Sequence, residues 1–239
     1  METVSENVCF DGVQGVYTHA SEACGCDMTF GLYLPPQARS GKVPVLWYLS
    51  GLTCTHENAM TKAAAQGIAA ETGMAIVFPD TSPRGEDVAD DDAYDLGKGA
   101  GFYVNATQEP WAPHFQMWDY VSSELPKLIS AEFAVDLDRQ AITGHSMGGH
   151  GALTIAMAHP GRFASASAFA PIAHPSASDW GRKQLSAYLG DDETTWAKHD
   201  ATLQMQEVGF DGPVLVDQGG SDQVRSEEHT SELQSLTNL

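Results

Sequence analysis

The chain has 239 residues, 42% of them hydrophobic, and carries 12 basic against 32 acidic residues for a formal charge of −20. A chain of this length can bury one sizeable core, while its negative charge repels phosphate backbones and anionic lipid surfaces. Neither nucleic acid nor a membrane is therefore expected as a partner, and an anionic ligand would have to be steered locally.

The amino terminus and the cysteines bear on location and metals. Residues 1–6 are acidic and lack the basic and apolar regions of a signal peptide, and no apolar run is long enough to span a bilayer. We therefore expect a cytoplasmic protein. The four cysteines predict reduced thiols, and the pair Cys24 and Cys26 is too close and too isolated for a zinc site, so no metal is expected.

Short apolar runs alternate with helical stretches from the middle of the chain onward, a pattern typical of an α/β protein with a parallel sheet. The predicted strands are residues 28–34, 45–49, 75–78, 140–144, 165–169 and 214–217. The predicted helices are residues 58–72, 118–133 and 147–158. Earlier strand pairs, including residues 12–17, are expected to form an antiparallel edge.

Residues 82–106 are rich in Gly and Asp and show no periodicity, which predicts a long surface excursion of the kind that often carries function. Its acidic run lacks the glycine and the terminal glutamate of an EF-hand loop. We therefore interpret the run as a solvated acidic loop rather than a calcium site; its members are Asp87, Asp90, Asp91, Asp92 and Asp95.

The strongest chemical signal is Gly144-His145-Ser146-Met147-Gly148, a Gly-x-Ser-x-Gly motif between a predicted strand and a predicted helix. A serine nucleophile on such a turn must be lifted above the sheet, and side chains two residues to either side would clash. Ser146 is the candidate nucleophile. The amide of Met147 opens the helix and points to where an oxyanion would develop.

A second oxyanion donor is expected in the loop that follows the strand at 45–49. The amide of Leu52 is our candidate, and Gly51 would let the backbone approach a substrate closely.

Four segments together resemble the S-formylglutathione hydrolases (the esterase D family). They occur in family order between residues 9 and 223 and read LSGLTCTHEN (49–58), GAGFYVNATQEPW (99–111), GHSMGGHGAL (144–153) and VLVDQGGSDQ (214–223). The resemblance implies an α/β-hydrolase fold, with a mostly parallel sheet and helices on both faces.

By position the resemblance implies Ser146 as nucleophile, Asp222 as the triad acid, and the amides of Leu52 and Met147 as the oxyanion hole. The implied reaction is hydrolysis of S-formylglutathione to glutathione and formate, without a cofactor and with side activity on carboxylic esters. A homodimer is left open.

The residues themselves favour Asp222 as the acid, because it lies past the carboxyl end of the last predicted strand, where α/β enzymes gather site residues. Asp217 is the alternative, although a structural strand-end role suits it better. Cys54 is interpreted as a thiol of the pocket wall rather than a nucleophile. Tyr103 and Trp111, together with Phe102, line a substrate pocket or belong to the core, and the sequence leaves both roles open.

The chain order in this fold is Ser, acid, His, yet only 17 residues follow Asp222 in the 239-residue chain. His229 lies among them in a polar segment without a strand pattern, so the catalytic histidine is expected to be absent. Residues 225–235 (RSEEHTSELQS) resemble the translation of a sequencing adapter. We therefore expect a hydrolase domain over residues 1–223 that lacks its last strand and helix, and a non-native tail over residues 224–239.

Two further hypotheses stand beside the hydrolase. A truncated chain would be inactive and would bind acyl ligands without turnover, and an acyltransferase could use the same fold, although no acceptor site marks it.

Overall fold

A single eight-stranded mixed sheet organises residues 1–220, the part of the chain that the computed structural model describes. The strands are β1 (Glu2–Cys9), β2 (Gly12–Ser21), β3 (Cys26–Leu34), β4 (Val43–Leu49), β5 (Ala75–Pro79), β6 (Val135–His145), β7 (Phe163–Phe169) and β8 (Val214–Asp217). The helices are α1 (His56–Lys62), α2 (Gln66–Thr72), α3 (Met117–Asp119), α4 (Leu125–Glu132), α5 (Met147–Ala158), α6 (Asp179–Leu189) and α7 (Ala201–Glu207).

The strand order is β1-β2-β3-β5-β4-β6-β7-β8. The first three strands pair antiparallel, as does β3 with β5, whereas the pairs from β5 to β8 are all parallel. This confirms the predicted α/β class and the antiparallel edge. The register aligns Leu49 with Gly144, His145 with Phe169, and Phe169 with Asp217. The loops after β4, β6, β7 and β8 therefore all leave the sheet at the carboxyl end of its parallel strands.

Helices cover both faces of the sheet because the side chains of its central strands are apolar in both directions. In β4, Val45 and Trp47 point into the main core, while Leu46 and Tyr48 pack on the opposite side. The main core also takes in apolar residues of α4, α5 and α6, and the opposite side is covered by α1 and α2. This confirms the predicted layering.

Helix α5 is buried at every position except its last, Ala158. It contacts β4, β6 and β7, and so it lies at the centre of the molecule. This packing fixes the amino terminus of α5 at the carboxyl end of the parallel strands, next to Ser146.

Several element predictions differ from the structure. The acidic opening residues form the edge strand β1, which was not predicted because its side chains are exposed almost throughout and show no buried face. The predicted helix 58–72 is two helices, separated at residues 63–65, where Ala64 has a left-handed φ of 51°. The predicted helix 118–133 exists, with a π-helical turn at Tyr120–Glu124.

The predicted surface excursion at residues 82–106 contains neither helix nor strand, and only part of it lies at the surface. Asp87, Asp90, Asp91 and Asp92 are exposed as predicted, whereas residues 95–97 and 99–104 are buried. Val88, Leu96 and Phe102 are buried within the main core. Asp95 is also buried and receives hydrogen bonds of 2.7 Å each from Lys183 and Gln184, so it is not part of a solvated loop. Buried polar anchors replace regular structure in holding this segment.

Among residues 1–220, no helix has the length and apolar character that crossing a membrane requires. The predicted non-native tail and the predicted loss of a last strand and helix concern residues outside the described range.

Candidate active site

Ser146 stands between the last residue of β6 and the first residue of α5 with φ 57° and ψ −122°, a backbone conformation that L-residues rarely adopt. Hydrogen bonds hold it there. Its amide donates to the carbonyl of Phe169 at 2.8 Å, and its carbonyl accepts from the amide of His150 at 3.0 Å. The side chain is half-buried. The turn therefore places Ser146 between the carboxyl end of β6 and the start of α5, and its role as nucleophile stays a prediction.

The two glycines of the motif are required by packing. A Cβ on Gly144 would stand 2.1 Å from the carbonyl oxygen of Gly148, and a Cβ on Gly148 would stand 2.0 Å from the carbonyl oxygen of Leu49. Neither backbone atom can move without displacing a central strand or α5. The spacing of Gly-x-Ser-x-Gly is thus a steric condition for bringing α5 against β4.

The loop after β4 lies directly against the serine. A Cβ on Gly51 would be 3.1 Å from the Cβ of Ser146 and 3.2 Å from the carbonyl oxygen of His145. Gly51 is buried, and Leu52 is half-buried against the main core. The structure therefore brings the predicted residues Gly51 and Leu52 to the same point as Ser146.

Two hydrogen bonds fix this loop. The hydroxyl of Tyr103 donates to the carbonyl of Ser50 at 2.9 Å, and the amide of Thr53 donates to the carbonyl of Gly99 at 2.9 Å. Thr53 has a left-handed φ of 62°. Segment 82–106 thus supports the loop from behind, which gives the irregular segment a positioning role.

Met147 is the first residue of α5, so its amide is one of the four at the helix start that have no helical acceptor. The partial positive charge of the helix amino terminus adds to it. Its amide and that of Leu52 remain our candidates for the oxyanion hole.

Cys54 is half-buried and lies one turn after Gly51, whose carbonyl accepts its amide at 3.4 Å. Burial raises the pKa of its thiol, while the nearby cations of Lys62 and Arg84 lower it less strongly. The thiol is therefore not activated as a thiolate, which supports a place in the pocket wall over a nucleophilic role.

Tyr103 and Trp111 are both buried in the main core, with exposed fractions of 0% and 6%. Trp111 packs edge-on against Phe115 and Tyr188. This burial favours packing over direct substrate contact, the alternative that the sequence left open.

The acid candidates follow β8. Asp217 ends that strand with an exposed side chain, and its carbonyl accepts the amide of Ala170 at 2.7 Å. Asp222 lies outside the described residues and stays a prediction. Among residues 1–220 no histidine makes a hydrogen bond to the Ser146 hydroxyl; the histidines that do make hydrogen bonds make them elsewhere.

Sequence reasoning missed two pairs of polar side chains, Asp80 with Arg84 and Asp200 with His174. Asp80, directly after β5, binds Nε of Arg84 through both carboxylate oxygens at 3.0 and 3.1 Å. Asp200, whose side chain is 0% exposed, accepts from Nδ1 of His174 at 2.7 Å. The position of Asp80 immediately after a buried strand was a usable signal.

Two histidines near the turn that carries Ser146 are buried and uncharged. Burial lowers the pKa of His150 to about 4 and that of His199 to about 3. His150 also contacts the backbone of Ile172, in the loop after β7. Within the described residues there is no group of three His, Cys, Asp or Glu side chains placed to hold a metal ion.

The fold and the strained serine define a serine hydrolase of the α/β-hydrolase class. The esterase family profile matches residues 21–238. The chain is 69% identical to the S-formylglutathione hydrolase of Paracoccus denitrificans, over 93% of this chain and 80% of that protein. It is 50% identical to the mouse S-formylglutathione hydrolase, over 95% and 81% of the two chains. The solved S-formylglutathione hydrolase of Agrobacterium tumefaciens superposes with a TM-score of 0.95 at 48% identity, covering 99% of this chain and 86% of that one. The chain belongs to the S-formylglutathione hydrolase family.

Proposed function

We propose that the protein to which this chain belongs hydrolyses S-formylglutathione to glutathione and formate, with Ser146 as nucleophile. The observation that carries the proposal is the strained backbone of Ser146 at the start of α5, with Gly51 packed against it. This packing brings the backbone amides of the loop after β4 close to the serine. The close relatives named above support the choice of substrate.

In this mechanism the hydroxyl oxygen of Ser146 attacks the carbonyl carbon of the thioester, and its proton passes to a histidine base held by Asp222. The carbonyl oxygen becomes an anion that the amides of Leu52 and Met147 stabilise. The carbon–sulfur bond then breaks, and the glutathione sulfur takes the proton from the base. Water attacks the formyl-enzyme, its proton passes to the base and then to Ser146, and formate leaves.

The test is hydrolysis of S-formylglutathione and of p-nitrophenyl acetate by the full-length gene product. We expect a burst with the aryl ester, because an acyl-enzyme forms and is then hydrolysed. Ser146→Ala should abolish both activities, whereas Ser130→Ala, a change on α4, should leave both intact. Turnover by the Ser146→Ala variant would overturn the assignment, and binding without turnover by the unaltered protein would favour the acyl-binding alternative.

The proposal includes a cytoplasmic location, which the four free cysteines support because reduced thiols persist in reducing compartments. Carboxylesterase side activity follows from the same acyl-enzyme chemistry. The homodimer stays a prediction.

A further inference from the structure

Arg84 lies beside the loop that carries Gly51. Its Nη2 donates to the carbonyl of Cys54 at 2.9 Å, and its Nε binds the buried carboxylate of Asp80. A guanidinium has five N–H groups, so these bonds leave three of them unused among the described residues. The side chain is 34% exposed. Arg84 is thus held rigidly by two anchors and still presents donors outward.

Lys62, in the last turn of α1, supplies a second cation. It is exposed, and it forms no ion pair with a carboxylate of residues 1–220. Its charge acts on the Cys54 thiol together with that of Arg84, whereas Asp80 acts in the opposite sense. At Cys54 these two cations act against one carboxylate, while the exposed carboxylate of Glu57 acts on the neighbouring His56. The balance at Cys54 is therefore positive in a chain whose formal charge is −20.

The spacing suits one substrate half. Gly51 touches Ser146, and the hydrogen-bonded turn from Gly51 to Cys54 keeps their Cα atoms within about 7 Å. Laid end to end, these contacts place the Arg84 guanidinium at most about 17 Å from the serine, against about 10 Å for an extended tripeptide at 3.3–3.6 Å per residue. A thioester held at Ser146 could extend its thiol half to this point.

We propose that Arg84 and Lys62 form a carboxylate-recognition site for the thiol half of the substrate. The proposal rests on the proposed function for the identity of the substrate, though not for the existence of the site. Arg84 would bind a carboxylate through two parallel N–H bonds, as guanidinium geometry favours, and Lys62 would attract it as a point charge. This site would provide the local steering that the charge of the whole chain opposes.

The first experiment uses Cys54 as a reporter of local charge. The full-length protein is alkylated with iodoacetate and, separately, with iodoacetamide, and the rates at Cys54 are obtained by peptide mass spectrometry. The two reagents attack the same thiolate and differ in charge, so the ratio of their rates cancels any change in the thiol pKa. Lys62→Met should lower the iodoacetate-to-iodoacetamide ratio about threefold, as expected for loss of one nearby charge in water. Lys42→Met, which removes an equal charge before the opposite end of β4, should leave the ratio unchanged. Equal effects of the two variants would overturn the proposal.

The second experiment separates geometry from charge. Arg84→Lys keeps the positive charge beside Asp80 but loses the planar array of donors, so KM for S-formylglutathione should rise about tenfold. The kinetic constants for neutral p-nitrophenyl acetate should stay within about twofold, since that ester has no carboxylate to bind. Equal losses on both substrates would show that Arg84 only supports the loop, and the proposal would fall.

The outcomes distinguish the two proposals. If the unaltered protein does not hydrolyse S-formylglutathione while the alkylation ratio responds to Lys62→Met alone, the proposed function fails and the carboxylate site stands. If S-formylglutathione is hydrolysed and neither variant changes its KM, the proposed function stands and the site does not.

Discussion

Gly51 packs against Ser146 so closely that a single added methyl group would stand 3.1 Å from the serine Cβ. This contact joins the loop after β4 to the elbow after β6, two segments that are far apart in the chain. It sets the distance between the serine hydroxyl and the amide of Leu52, which is proposed to donate a hydrogen bond to the developing oxyanion.

Gly51→Ala should therefore reduce catalysis more than stability. The loop must shift by a few tenths of an ångström, and small displacements of an oxyanion donor cost about tenfold or more in kcat. Esterase kinetics and thermal unfolding of the same preparation would measure both effects. Gly41→Ala is the matched control, because a Cβ at Gly41 meets nothing within 4 Å. A Gly51→Ala variant with unaltered kcat would contradict the proposed donor loop.

Gly148→Ala should fail to fold or unfold far more readily, since its Cβ would lie 2.0 Å from the carbonyl oxygen of Leu49. Separating α5 from β4 would disrupt the central helix, and we expect a loss of more than about 3 kcal/mol in the free energy of unfolding. Denaturant unfolding with Gly220→Ala as control would measure it, because a Cβ on Gly220 also meets nothing. A near-native midpoint for Gly148→Ala would show that the packing is less tight than described.

Stability should fall as the pH drops below about 6.5 because His150 and His199 are buried in their neutral forms. Burial lowers the pKa of His150 to about 4, so between these two pH values the unfolded chain binds a proton that the folded chain does not. The free energy of unfolding therefore decreases with falling pH in that window, by about 3 kcal/mol from His150. Above pH 7 the contribution should be flat.

Urea unfolding at a series of pH values would measure this slope. His150→Gln cannot titrate, so its stability should depend less on pH than that of the unaltered protein. Burial also lowers the pKa values of His199, His19 and His56, so their contributions to the slope have the same direction and should remain in the variant. An unchanged slope in His150→Gln would refute the buried neutral state.

Cys54→Ala should retain most of the esterase activity, because the raised pKa of the Cys54 thiol leaves it protonated near neutral pH. Iodoacetamide should nevertheless inhibit the unaltered protein, faster as the pH rises, by adding bulk beside the Gly51 loop. The Cys54→Ala variant should resist that inhibition, whereas the Cys9→Ala variant should be inhibited like the unaltered protein. Loss of activity in Cys54→Ala with a native melting temperature would point to a direct catalytic role.

Asp200→Ala should destabilise the fold by about 3 kcal/mol or more, because it leaves His174 without the buried carboxylate that binds it at 2.7 Å. Asp200 also accepts the amide of Ser176, so the loop after β7 would lose two anchors beside the elbow. Asp136→Ala is the control, since Asp136 pairs with Arg139 at the surface, where solvent screens the pair, and its loss should have a much smaller effect. Equal effects in thermal unfolding would contradict the difference in burial.

The amino-acid sequence by itself determined the class of fold, most strand positions and the nucleophile elbow. These features can be recognised locally: apolar runs specify strands, and the Gly-x-Ser-x-Gly pattern lies within five consecutive residues, although the contact that requires Gly148 is with Leu49 in β4. Only the tertiary structure decided that residues 99–104 are buried, that Gly51 packs against Ser146 and that Arg84 joins Asp80 to Cys54. Each of those contacts brings together different segments of the chain. Their geometry depends on which partners the buried polar groups find once the loops pack, and no local pattern of residues specifies those partners.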